Sequence, residues 1–109
     1  MAIHAFLLTY SVSPAIEQDR EHQNQAARLR QKLNRVELED WTKLQSVETA
    51  FSGIMHLSQS ILSKKRQEAQ DIAWNQFKDV MDSLGAYRDT NIHVALMVQG
   101  LGELIELSI

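Results

Sequence analysis

The side chains that could carry chemistry in this chain are few: four histidines, one run of three adjacent cations, and no cysteine. His4 and His93 each stand second in an apolar run, IHAFLL and IHVALM, and two imidazoles on neighbouring strands are the beginning of a zinc or transition-metal site. Antiparallel pairing of those runs would send the two rings to opposite ends of a sheet. Neither run carries an Asp or Glu before Glu103 that could complete a ligand set. His22 lies in a polar stretch beside Asp19 and Glu21, where a solvated side chain is the simpler reading. No metal and no cofactor is expected. Lys64, Lys65 and Arg66 are the candidate contact with phosphate or with an acidic protein, set against the plainer reading of a solvated first helical turn.

Other reactions find no foothold. There is no G-x-S-x-G, no cysteine nucleophile and no glycine loop to cradle phosphate. The net charge of −3, with a pI near 5.7, speaks against a whole surface devoted to nucleic acid. No apolar run approaches the roughly 18 residues of a membrane span. Residues 1 to 12 lack the basic start and small-residue cleavage site of a secretory signal. The absence of cysteine makes a cytoplasmic setting the default expectation.

With 109 residues, 44% of them hydrophobic, the chain has material for one domain and one modest core. The stretch Ile3 to Val12, IHAFLLTYSV, is apolar on both of its alternating faces and predicts a central strand with at least one side covered. Ser13 and Pro14 look like the cap and first residue of a helix to about Asn34. That helix begins with nine polar residues, Glu17 to Gln25, and shows its apolar stripe only from Ala26 through Leu29, Leu33 and Val36; a mobile loop before a shorter helix is the alternative.

Trp41 to Leu44 and Ser46 to Ile54 predict an edge strand and a second strand, or one long bent strand, with Gly53 as a stop. From Leu57 the period changes: Ser58 or Ser60 can cap, and Ile61, Leu62, Ala69, Ile72, Ala73, Phe77, Val80, Met81 and Leu84 form one broad helical face ending at Gly85. Such a helix is longer than the strands it covers, so one end must overhang, and Lys64 to Arg66 belong to that end. Trp74 beside the apolar face suits a core or dimer contact. Ile92 to Gln99 and Leu104 to Ile109 predict two last strands joined through Gly100-Leu-Gly102.

Strand, helix, two strands, helix, strand is the split βαβ order, and it predicts a ferredoxin-like α+β fold: an antiparallel sheet, two helices on one face, and an extra C-terminal strand. A ligand-binding or monooxygenase-like barrel shares this topology and would need a pocket between sheet and helices.

LLTYSV at Leu7 to Val12, W-x-K-L-x-S-V at Trp41 to Val47, and a terminal strand after Gly100 together resemble the CRISPR adaptation nucleases and their ferredoxin-like relatives, among them small endoribonuclease antitoxins. The resemblance implies an aspartate after the first strand's tyrosine, binding a divalent metal between two subunits. Here Tyr10 is followed by Ser11, whose neutral hydroxyl lacks the anionic oxygen that Mg²⁺ needs, so metal-dependent cleavage is disfavoured. The Gly100-Leu-Gly102 turn lets the terminal strand either fold back on Ile92 to Gln99 as a hairpin or cross to a second subunit, and the resemblance favours crossing. Leu104, Ile105, Leu107 and Ile109 are too apolar to hang free and are the candidate dimer interface. The resulting expectation is a small homodimeric interaction or regulatory protein without catalysis, binding itself or another protein. A nuclease of the adaptation or antitoxin type is the alternative.

Overall fold

The computed structural model describes residues 2–109 as one five-stranded antiparallel sheet with two helices against one of its faces. In chain order the elements are β1 (Ala2–Pro14), α1 (Arg20–Arg35), β2 (Trp41–Lys43), β3 (Ala50–Leu57), α2 (Leu62–Ser83), β4 (Thr90–Val98) and β5 (Ile105–Ser108). The strands lie in the order β2-β3-β1-β4-β5, which is the ferredoxin-like arrangement extended by a C-terminal hairpin strand. β1 is central, paired with β3 from Ala2 to Thr9 and with β4 from Phe6 to Pro14. The echoing runs IHAFLL and IHVALM are therefore adjacent, antiparallel strands.

Alternation along β1 assigns the faces. Phe6, Leu8, Tyr10 and Val12 are buried under the helices, together with Phe51, Met55 and Leu57 of β3 and Ile92, Val94, Leu96 and Val98 of β4. From above, α1 contributes Ala26, Leu29 and Leu33, and α2 contributes Ala69, Ala73, Phe77, Val80 and Met81. Five of the chain's seven aromatic residues, Phe6, Tyr10, Trp41, Phe51 and Phe77, meet at one end of this layer with ring centroids 4.9 to 6.4 Å apart. Aromatic pairs in such tilted and edge contacts add about 0.5–1.5 kcal/mol each beyond the area they bury. Trp74 is partly buried and packs on the core.

Four boundaries differ from the sequence expectation. The strand continues through Ser13 and Pro14, because a residue before proline is pushed out of the α region and Pro14, as the last strand residue opposite Thr90, needs no donor. α1 starts instead at Arg20, where the Asp19 carboxylate accepts from the His22 N–H at 3.1 Å, so the polar run is helical only from Arg20 to Gln25. β3 begins at Ala50 and runs on to Leu57, carrying Gly53 in its interior rather than at its end. A Cβ on Gly53 would fall against the carbonyl oxygen of Asp40, far inside contact distance; the glycine admits that backbone, and Trp41, its partner in β2, covers the gap and packs on Phe6. α2 has no side-chain cap at Ile61. Ser58 bonds Glu68 instead, through both its N–H (2.9 Å) and its hydroxyl (2.9 Å). These bonds and the Gln59 N–H hold the Glu68 carboxyl below its ordinary value, the Ser58 backbone bond contributing most. The first turn of α2 does overhang: Ile61 and Leu62 are exposed.

Candidate functional site

The helices leave the second face of the sheet uncovered, and its side chains can be placed from the register. Leu7 of β1 lies opposite Met97 of β4 and Ser52 of β3; Ala5 lies opposite Ile54, and Ile3 opposite His56. Continuing the β4–β5 register by one residue past Leu96 and Ile105 brings Leu104 beside Met97. Ile3, Leu7, Met97 and Leu104 keep 63%, 47%, 54% and 46% of their surface in water, while Leu8, Leu96, Val98 and Ile105, next in sequence to the last three, are buried. They form a single apolar patch with a shallow groove of about 360 Å³ over Ala5, Leu7, Met97 and Gly100.

Towards the other end the same face turns polar. Thr9 opposes Ala95 and Ser11 opposes His93, while Glu106 and Ser108 continue those two rows on β5. His93 Nδ1 lies 2.9 Å from the Ser108 hydroxyl. A groove of about 280 Å³ runs between Thr9, Ser11, Thr49, His93, Ala95 and Glu106. Ser11 is exposed here. Its row holds an imidazole and a second hydroxyl, and the one carboxylate lining the groove is that of Glu106 in the neighbouring row. His4, seven residues before Ser11 on β1, is about 23 Å from the His93 row and faces the helix side with Phe6. The two rings cannot share an ion. His4 Nδ1 meets the Gln99 carbonyl at 2.8 Å, and its Nε2 is buried without a partner.

The three cations of the predicted basic cluster take different surroundings. Neighbouring helix residues point about 100° apart, so the three side chains separate around α2. Lys64 is exposed and Lys65 half-buried, whereas Arg66 reaches down to donate to the carbonyls of Leu101 (2.7 Å) and Glu103 (2.6 Å). Arg66 thereby fixes the turn in which Gly100 and Gly102 take positive φ, 82° and 84°. The terminal strand is tied back onto its own subunit. Ile105 and Leu107 are only 5% and 7% exposed, in the core beneath α2, so of the four predicted interface residues Leu104 alone presents a largely open side chain, with Ile109 partly buried.

His22 is not simply solvated. Its Nδ1 accepts from the Ile16 N–H at 3.1 Å and its Nε2 stands 3.3 Å from Asp89, clipping the start of α1 to the loop before β4. The hydrogen bonds assign the Nε2–H tautomer. Spacing in sequence held no sign of this, since Asp89 is remote from His22.

One more constellation lies at the sheet end under α1. The Lys43 ammonium donates to the Tyr10 hydroxyl and stands 4.5 Å from the Tyr10 ring centroid and 4.7 Å from that of Phe51. Burial, and then the nearby Glu48 carboxylate, push the Tyr10 phenol up to about 12. Burial pulls the Lys43 ammonium below its ordinary value, with Glu48 opposing. A phenol so shifted is a hydrogen-bond donor at neutral pH and not a base. Beside it a cavity of about 320 Å³ opens between Tyr10, Arg30, Asn34, Glu48 and Thr49.

No protein-family model, no curated protein and no solved structure matches this chain. The fold and this face define a ferredoxin-like α+β domain with one covered and one open sheet surface. Among the described residues no three His, Asp or Glu side chains gather where a metal ion could be held, and no helix is long and apolar enough to cross a membrane.

Proposed function

We propose that the chain is a small interaction or regulatory protein that works as a homodimer, two copies meeting through the open face of the sheet. The observation that carries this reading is the contiguous patch of Ile3, Leu7, Met97 and Leu104, large apolar side chains left in water on a regular surface. Five strands at about 4.8 Å spacing and some 25 Å of strand length give a face of about 600 Å², on the scale of the ~800 Å² each partner contributes to a stable interface. A two-fold axis near Leu7 would set patch on patch and bury both at once. The terminal strand takes part through Leu104 and the rim, since Ile105 and Leu107 already serve their own core. A nuclease reading draws no support from Ser11, which offers a hydroxyl where the resemblance implies a carboxylate. A cytoplasmic setting accords with the cysteine-free composition.

Light scattering on a size-exclusion column tests the interface. Full-length protein should run as a dimer at micromolar concentration, and the Leu7→Lys, Met97→Lys double variant as a folded monomer with an unchanged helix and strand signal by circular dichroism. A full-length chain that stays monomeric at high micromolar concentration would overturn the dimer. Edge pairing through β5 is separable from it. Ile92 and Ile109 exchange both backbone bonds, so the alternation leaves the N–H and C=O of Glu106 and Ser108 pointing outward. Ser108→Pro removes an outward backbone donor together with the hydroxyl beside His93, a loss that Ser108→Ala reproduces alone; a dimer lost with the proline variant but kept with Ser108→Ala and the double lysine variant would move the interface to the strand edge.

A further inference from the structure

We infer that the flank of α1 beside the C-terminal end of α2 is a docking groove for an acidic, apolar-anchored segment of another protein. Charge on this molecule is unevenly placed. α1 carries Arg20, Arg28, Arg30, Lys32 and Arg35 against Glu21 alone, five cations less one acid, or +4; with the whole chain at −3, the remainder bears −7. Among the described residues the ion pair within 4 Å is Lys78–Asp82, with His22–Asp89 and His56–Asp40 as imidazole–carboxylate contacts, so no Arg or Lys of α1 is neutralised at that distance.

Three of those cations share a groove of about 370 Å³, lined by Arg28, Gln31, Lys32, Arg35, Val36 and Leu84 and free of any acidic side chain. Arg28, Lys32 and Arg35 follow at i, i+4 and i+7, a row about 10 Å long on one helix flank. Half-buried Val36 and Leu84 make the apolar floor. The wall is held in place: Arg28 donates to the Gln25 side-chain oxygen at 2.6 Å, and the Gln25 amide reaches the Leu84 and Gly85 carbonyls at 3.5 Å. Lys32 and Arg35 also offset the dipole at the end of α1, but Arg28 stands two turns earlier and does not.

Charge complementarity selects the occupant. A helical or extended segment with carboxylates at matching spacing meets guanidinium forks that bind carboxylate bidentately, and its apolar side chains meet the floor. A long nucleic acid would fit the groove over only about 10 Å and then run onto a surface carrying −7, within reach of its field at a Debye length of about 8 Å. A short acidic segment escapes that repulsion. The groove lies in the helix layer, opposite the open sheet face, so this proposal does not rest on the dimer.

Fluorescence anisotropy on the full chain tests it, with a fluorescein-labelled peptide bearing glutamates at i, i+4 and i+7 and leucines between them. Binding is expected in the micromolar range, weakening as salt rises. It should fall at least tenfold in Arg28→Glu, Arg35→Glu, and several-fold in Arg28→Gln, Arg35→Gln, which serves if the charge-reversed protein misfolds. Lys64→Glu, Lys65→Glu should bind as the parent does. No binding at 100 μM peptide, unchanged binding in the Arg28 and Arg35 variants, or tighter binding of an equally charged single-stranded oligonucleotide would each overturn the proposal.

Discussion

Leu8 has no exposed surface and Leu7, the residue before it on the same strand, keeps 47% of its own. The difference is only which way the pleat points them, and it divides the whole sheet into a face that specifies the fold and a face that is left for something else. On the covered face every large residue has a counterpart from α1, α2 or the aromatic cluster. On the open face apolar and polar residues are graded along the strands, from Ile3 and Leu7 to Ser11 and His93. A hydrophobic run therefore carries two messages that sequence superimposes.

Substitution should separate those messages. Phe51→Ala removes a ring that touches Tyr10, Trp41 and Phe77, and should cost about 3–5 kcal/mol in urea unfolding. Leu7→Ala should shift the unfolding of the monomer by only about 0.5 kcal/mol. Comparable losses from both would mean that the open face is covered within the subunit. Gly53→Ala presses on the covered face from its backbone, where Asp40 must move to admit a methyl group, and a loss of about 2 kcal/mol is expected. A neutral result would mean that β2 packs less closely than the Trp41 to Gly53 pairing implies.

The smallest effect is one of pH. Between about 10 and about 12 the unfolded chain gives up the Tyr10 proton while the folded chain keeps it, so stability falls as pH rises through that window, by at most about 2 kcal/mol. Lys43 acts in the opposite sense just below 10.5, where the unfolded state binds more protons than the folded one and stability rises with pH. Urea midpoints from pH 8 to 11.5 should show the alkaline fall in the parent and a shallower fall in Tyr10→Phe. Equal slopes would place the phenol in water.

Where sequence and structure agree, the signal was a period; where they part, it was a contact between distant residues. The apolar run of β1 and the three-and-four spacing of α2 each suffice to place an element, and together with the strand count they predict the sheet order. Gly53 looked like a terminator because a glycine's tolerance inside a strand depends on Trp41 and Asp40, which only folding brings to it. The cations gave the reverse lesson. Lys64, Lys65 and Arg66 stand together in sequence and diverge on the helix, whereas Arg28, Lys32 and Arg35, interleaved with buried Leu29 and Leu33, converge on one groove. Leu104 and Leu107 look equivalent in a terminal apolar run; alternation gives one to the open face and the other to the core.

The central position of β1 also sets a timetable. Its hydrogen-bonding partners are β3, which begins at Ala50, and β4, which begins only at Thr90, so the strand most enclosed in the finished sheet is the one made first. At a synthesis rate of roughly 5–20 residues per second the interval between Pro14 and Val98 lasts about 4 to 17 seconds. Until Leu57 is made, Ile3 to Val12 is a β-prone segment with two free edges and apolar side chains on both faces, and until β4 is made it keeps one free edge. Nascent chains stalled before Thr90 should thus be the form of this protein most prone to aggregate and most in need of a chaperone.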